Sequence, residues 1–132
     1  MRINSGLDGF MQKHGTVDLS WQENLLVVQT FGPFNEEAIE YIIAEAKKTV
    51  KNRPARLWKR LEILDEETLA SPAVLARVKE LNTWFEDNGC MQVAVVVCNE
   101  IQVYVTEKVL NSYAKIFRDA EAAKKWLGGQ GE

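Results

Sequence analysis

The 132-residue chain is short of several things: long apolar runs, histidine, cysteine and glycine-rich turns. Each shortage removes a class of function. A membrane helix needs ~20 consecutive apolar residues, and the longest run here is Val93 to Cys98. Integral membrane association is therefore not expected. The first residues, MRINSGLDGFMQKHG, hold neither an apolar core nor a small-residue cleavage site, so no secretory leader is expected. One histidine (His14) and two cysteines do not complete a closed zinc set. The acids Glu62, Asp65, Glu66 and Glu67 would hold magnesium only with phosphate oxygens from outside. Gly32 runs into Pro33, and Gly128-Gly129 follows the last helical pattern, so no loop is built to cradle phosphate. The expectation is no metal, no cofactor and no enzymatic activity.

The two cysteines, Cys90 and Cys98, stand eight residues apart on a strand-like run. At ~3.3 Å per residue they lie roughly 26 Å apart, against about 4.4–6.8 Å for a disulfide. Unpaired thiols suit a reducing compartment, and a cytoplasmic location is expected. A net charge of −3 gives no overall attraction to nucleic acid. Residues 47–60 carry seven cations and no acid, yet span a helix end, a loop and a strand, with Trp58 as the one aromatic. That is a helix C-terminus with favourable dipole contacts, not a nucleic-acid stripe.

What is present is an orderly alternation of elements. Residues 1–13 lack periodicity and read as a partly ordered arm, followed by a single domain over residues 14–129. Residues 16–21 alternate, with Val17, Leu19 and Trp21 on one face, and residues 25–31 return as the second strand of a hairpin. Asn35 caps a helix over residues 36–51 with Ile39, Ile42, Ile43, Ala46 and Val50 in one stripe. In the strand 55–64, Leu57, Leu61 and Ile63 form the buried face, while Trp58, Arg60, Glu62 and Leu64 form a partly wet one. Ser71-Pro72 opens a second helix, which Asn88-Gly89 stops. Residues 90–98, apolar on both faces, predict a central strand covered on both sides. Residues 101–113 predict a helix with Ile101, Tyr104, Val105, Val109 and Tyr113 inward. A short strand at 115–117 and a helix capped by Asp119 and ended by Gly128-Gly129 complete the chain. The fold class is α/β, in the order β-β-α-β-α-β-α-β-α. Its mixed sheet carries parallel later strands and helices mainly on one face.

Three stretches resemble the STAS superfamily, and in particular its small bacterial SpoIIAA-like members, typified by anti-sigma-factor antagonists. They are GTVDLSWQENLLVVQTFGPFNEE (15–37), LEILDEETLASPAVL (61–75) and AKIFRDAEAAKKWL (114–127). The resemblance implies a β/α superhelix that acts by binding another protein or a small ligand. The phosphorylated antagonists carry an Asp-Ser-Ser-Gly-like motif at a strand-to-helix passage. Here Ser71 stands at a comparable helix start, but the glycine is missing and the loop spacing differs. That departure argues against phosphorylation-controlled sigma-factor signalling. The fold also suggests lipid-transfer proteins of the CRAL-TRIO type, which need more chain to enclose a lipid.

In open α/β sheets, ligands bind beyond the carboxyl ends of parallel strands. That edge gathers Asp65, Glu66, Thr68 and Ser71, then Cys98, Asn99 and Glu100, then Arg118 and Asp119. Ser71 and Asp119 are also plain helix caps. Cys98 is the one candidate nucleophile, but nothing brings His14 to it, and a buried cysteine ending an apolar strand packs as a small hydrophobe. Trp58 beside Arg60 predicts an interaction surface, or else a platform covered by Phe10 and Met11 of the arm. The leading expectation is a regulatory or adaptor domain binding a protein partner or a second copy. Its candidate residues are Trp58, Arg60, Asp65, Thr68, Ser71, Cys98 and Asn99. The alternative is a carrier or sensor of a small apolar, lipid-like ligand held between the sheet and the helices at 36–51 and 101–113.

Overall fold

The computed structural model describes residues 2–4, 15–110 and 113–130. Most of the expected arm, including Phe10, Met11 and His14, lies outside them. The elements are β1 (Arg2–Asn4), β2 (Thr16–Gln22), β3 (Leu25–Phe31), α1 (Glu36–Lys51), β4 (Trp58–Leu64), α2 (Pro72–Asp87), β5 (Cys90–Val96), α3 (Glu100–Val109), β6 (Ala114–Phe117) and α4 (Ala120–Lys125). β1 is a strand that the sequence pattern does not announce.

The six strands stand side by side in chain order. β1, β2 and β3 pair antiparallel, and β3 to β6 pair parallel. This order explains the layers. Each parallel crossover is right-handed as a rule, and three successive crossovers step the same way across the sheet, so α1, α2 and α3 share one face. α4 follows the last strand, connects nothing, and covers the other face.

Two cores result. Under α1–α3 lie Val17, Leu19, Leu26, Val28, Trp58, Val93, Val95 and Val97, with Ile39, Ile42, Val50, Val74 and Phe85 from the helices. Under α4, Leu61, Ala94 and Val96 meet Ala123 and Leu127. β5 is thus covered on both sides, as its two apolar faces require. Asn35, Ser71, Asn99 and Asp119 cap the four helices through side-chain oxygens. Gly89 stops α2 at φ +103°, where a Cβ would sit 2.1 Å from the Arg56 carbonyl oxygen; glycine alone fits there.

Three expectations need correction. On β4 the face carrying Trp58 and Arg60 is the one beneath the three helices. Trp58 is 0% exposed and Arg60 1%, so neither offers an interaction surface, whereas Leu57 is exposed outside the strand. Charges on that face misled the reading because they are paired internally. On α3, Ile101 (61% exposed) and Tyr104 (63%) point outward while Gln102, Thr106 and Val109 are buried. A helix turns roughly 100° per residue, so anchoring by the Asn99 cap and the Gln102 amide sets a rotation that the apolar spacing does not reveal. Tyr113 is likewise exposed and lies beyond the helix. Finally, Gly128 and Gly129 do not end α4; the chain continues through them as a π-helical turn, Trp126–Gln130. The Lys59 ammonium donates to the Leu127 carbonyl there at 2.6 Å, satisfying an oxygen that a helix end leaves open.

Candidate functional site

At the carboxyl ends of β4 and β5 the structure brings together Asp65, Thr68, Cys98 and Asn99. They are joined by Gln102, which sequence reasoning passed over. The Asp65 carboxylate accepts from the Gly32 backbone N–H (3.1 and 3.2 Å), the Glu67 N–H (3.1 Å) and the Thr68 hydroxyl (2.8 Å). It ties the β3 exit to the β4–α2 loop. Thr30 and Thr68 share a hydroxyl–hydroxyl bond of 2.9 Å. The Gln102 amide donates to the carbonyls of Asp65 (2.7 Å) and Thr68 (3.1 Å), and its oxygen accepts from the Cys98 N–H (2.8 Å). A buried polar side chain is costly without such partners, and here it stitches α3 to the loop. Asn99 accepts from the Gln102 N–H at 2.9 Å, and Ser71 from the Val74 N–H at 3.3 Å. Both act as caps.

Cys98 is exposed, not buried, because its strand ends before it. Its thiol donates to the Leu64 carbonyl at 3.2 Å. Desolvation, reinforced by Glu66 and Asp65, pushes the thiol's pKa up, against a smaller opposing pull from Arg118. A raised value favours the neutral thiol, the opposite of nucleophile activation. Alkylation of Cys98 by iodoacetamide is expected to rise with pH through a midpoint above that of an unperturbed cysteine. A midpoint below the ordinary value would show an activated thiolate. Among the described residues, no group of three His, Cys, Asp or Glu side chains is placed to hold a metal ion.

Beneath this network lies a cavity of about 100 Å³ between the sheet, α2 and α3. Leu64 and Val95 of the sheet, Leu75 and Val78 of α2, Val105 and Val109 of α3, and Phe34 and Leu69 of the loops make it mainly apolar. Thr30, Glu62, Thr68, Asn82, Gln102 and Thr106 add a few polar groups. The expected pocket lay under the helices at 36–51 and 101–113; the observed one lies under α3 as expected, but with α2 in place of α1. Its scale approaches the ~150 Å³ of a cavity that takes benzene.

The cavity floor is braced by a buried charge. The Arg60 guanidinium donates to the Asn82 side-chain oxygen at 2.6 Å and lies 4.2 Å from the centre of the Phe85 ring. Its Nε stands 2.9 Å from a Glu62 oxygen but is not well aimed at it; among the described residues Nε makes no directed hydrogen bond and Nη1 has none either. The contact is therefore an ion pair. Asn82 in turn donates to the Val109 carbonyl at 2.8 Å, holding the end of α3. The sequence signals for this site were Gln102 and Thr106 one turn apart, and Asn82 beside the apolar stripe of α2. Each reads equally well as a solvent-facing polar residue until the helices are docked.

The fold has a counterpart among solved structures. The crystal structure of an uncharacterized protein of the DUF3478 family from Shewanella loihica PV-4, described as having a SpoIIAA-like fold, matches with a TM-score of 0.61. The match covers 92% of this chain and 99% of that one. The fold of this chain is SpoIIAA-like. At 16% identity the likeness concerns the fold alone, and it agrees with the three stretches that resemble that group. No family model and no curated protein matches the chain. In this SpoIIAA-like fold the cavity sits under two of the three crossover helices, and Gln102 pins α3 over it.

Proposed function

We propose that this protein is a non-enzymatic, cytoplasmic regulatory domain that holds a small, mostly apolar molecule in the cavity beneath α2 and α3. The cavity itself carries the reading. An apolar pocket with a few convergent polar groups is the usual form of a small-ligand site, and here its polar groups are held by bonds within the protein rather than arranged around a nucleophile. The two unpaired cysteines support a reducing compartment, and no described helix is long and apolar enough to cross a membrane. Native mass spectrometry of freshly purified protein, paired with a fragment screen followed by methyl NMR, tests it. A co-purifying adduct, or fragments that shift the methyls of Leu64, Leu75, Val95 and Val109, is the expected result. A clean apo mass together with no such shifts would reject it.

A second reading is an adaptor that binds a protein partner or a second copy of itself. It is favoured by Ile101 and Tyr104 standing exposed on the outer face of α3, since exposed aromatic and apolar groups are enriched at interfaces. Light scattering on the wild type and on Ile101→Ser/Tyr104→Ser checks self-association. A wild type that stays monomeric at high concentration rules that part out.

A further inference from the structure

Resting on the cavity reading, we infer that the ligand is a small apolar molecule with a hydrogen-bond-donating head, a hydroxyl or an amine, and not a carboxylate or phosphate. The polar groups in the lining differ in the hydrogen-bonding capacity they retain. Gln102 spends its amide nitrogen on the Asp65 and Thr68 carbonyls and its oxygen on the Cys98 N–H. Asn82 spends its oxygen on Arg60 and one amide hydrogen on the Val109 carbonyl. The Thr68 hydroxyl donates to Asp65, so in the bond between Thr68 and Thr30 it is Thr30 that donates. Donors on the lining residues are thus largely committed; the unbonded Arg60 Nε and Nη1 belong to a residue that does not itself line the cavity.

The capacity left over is mostly to accept. Glu62 lines the cavity and keeps 23% of its side chain accessible. An ionised carboxylate accepts only, with about four lone-pair sites, and its ion pair with Arg60 uses one oxygen. Thr30 retains lone pairs once its proton points at Thr68. Thr106 has a hydroxyl that serves either way. An anionic head placed here would meet the Glu62 carboxylate across an apolar, weakly screening space. A neutral head that only accepts would leave the second Glu62 oxygen without a partner from the ligand. A donor head answers both.

Four probes of nearly equal size separate the possibilities: isobutanol, isobutylamine, isobutyrate and methyl isopropyl ether. Each is titrated into the wild-type protein, with binding read from the methyl shifts of Val95, Val105 and Val109. The alcohol and the amine should bind at least about tenfold more tightly than the isosteric ether, as expected for one hydrogen bond to a charged group. Isobutyrate should be weaker still. Ether or isobutyrate binding as tightly as isobutanol overturns the donor-head inference while leaving the cavity as a ligand site. If no probe moves those methyls, the cavity reading falls with it. In Glu62→Gln, where folding is retained, binding of the amine should drop more than binding of the alcohol; equal retention of both would also contradict the assignment.

Discussion

Replacing Trp58 by alanine is expected to lower the stability of the folded protein by about 3–5 kcal/mol, the usual loss for a large aromatic removed from a packed core. The indole is fully buried. It meets Trp21 edge-on at 5.5 Å and Phe85 edge-on at 5.6 Å between ring centres. Its N–H donates to the Asn88 carbonyl at 2.9 Å, and the Trp58 backbone N–H donates to the Gly89 carbonyl at 2.9 Å, so the start of β4 and the end of α2 are joined here. Alanine would leave a cavity and strip the Asn88 carbonyl of its partner. Trp58→Phe keeps much of the ring packing and loses mainly the hydrogen bond, and about 1–2 kcal/mol is expected. Urea denaturation measures both as shifts in midpoint at unchanged slope. Since domains are stable by only about 5–15 kcal/mol, the alanine variant should stand near the edge of folding. A loss below about 1 kcal/mol, with an effect on oligomeric state alone, would return Trp58 to the surface that strand alternation suggested.

The charged pair on the same face gives a prediction with a sign that separates two kinds of variant. Glu62→Ala is expected to cost about 3–5 kcal/mol, because it leaves a buried guanidinium without its counter-charge. The Asn82 oxygen at 2.6 Å and the Phe85 ring would then be its remaining contacts. Replacing both members by apolar residues of similar volume, as in Arg60→Met with Glu62→Leu, is expected to be neutral or stabilising by up to about 4 kcal/mol. The pair is costly to desolvate and already leaves Nη1 without a hydrogen bond. Equilibrium unfolding of the single and double variants decides the matter. A double variant as damaged as Glu62→Ala would mean that the ion pair itself supplies net stability.

These two predictions concern the residues that sequence patterns placed least well, and the cause is the same in each case. Trp58, Arg60, Glu62 and Leu64 alternate with Lys59, Leu61 and Ile63, so β4 has two mixed faces and no local property tells which will be covered by three helices. In α3, Ile101, Tyr104 and Val105 look like a core stripe, yet the helix turns Gln102 and Thr106 inward because the Gln102 amide finds two carbonyls on the β4–α2 loop and the Cys98 N–H just ahead of the helix. The cavity was therefore out of reach as well: its polar lining comes from β3, β4, α2 and α3, residues up to 76 positions apart in the chain. Asp65 and Thr68 were legible as rim residues, but their bonding to Gly32 and Thr30 depends on a neighbouring strand.

The element order after β1, helix starts at Asn35, Ser71 and Asp119, the stop at Gly89 and the doubly apolar β5 could all be read from neighbours along the chain. Capping, chain reversal and hydrophobic alternation act over a few residues, and a one-directional run of right-handed crossovers then leaves little choice of sheet. Which face lies inside, how far a helix is rotated, and whether a charge is solvated or paired belong to the packed molecule alone. They depend on contacts between segments distant in the chain, where the small difference between burying a group with partners and without them outweighs its intrinsic preference for water.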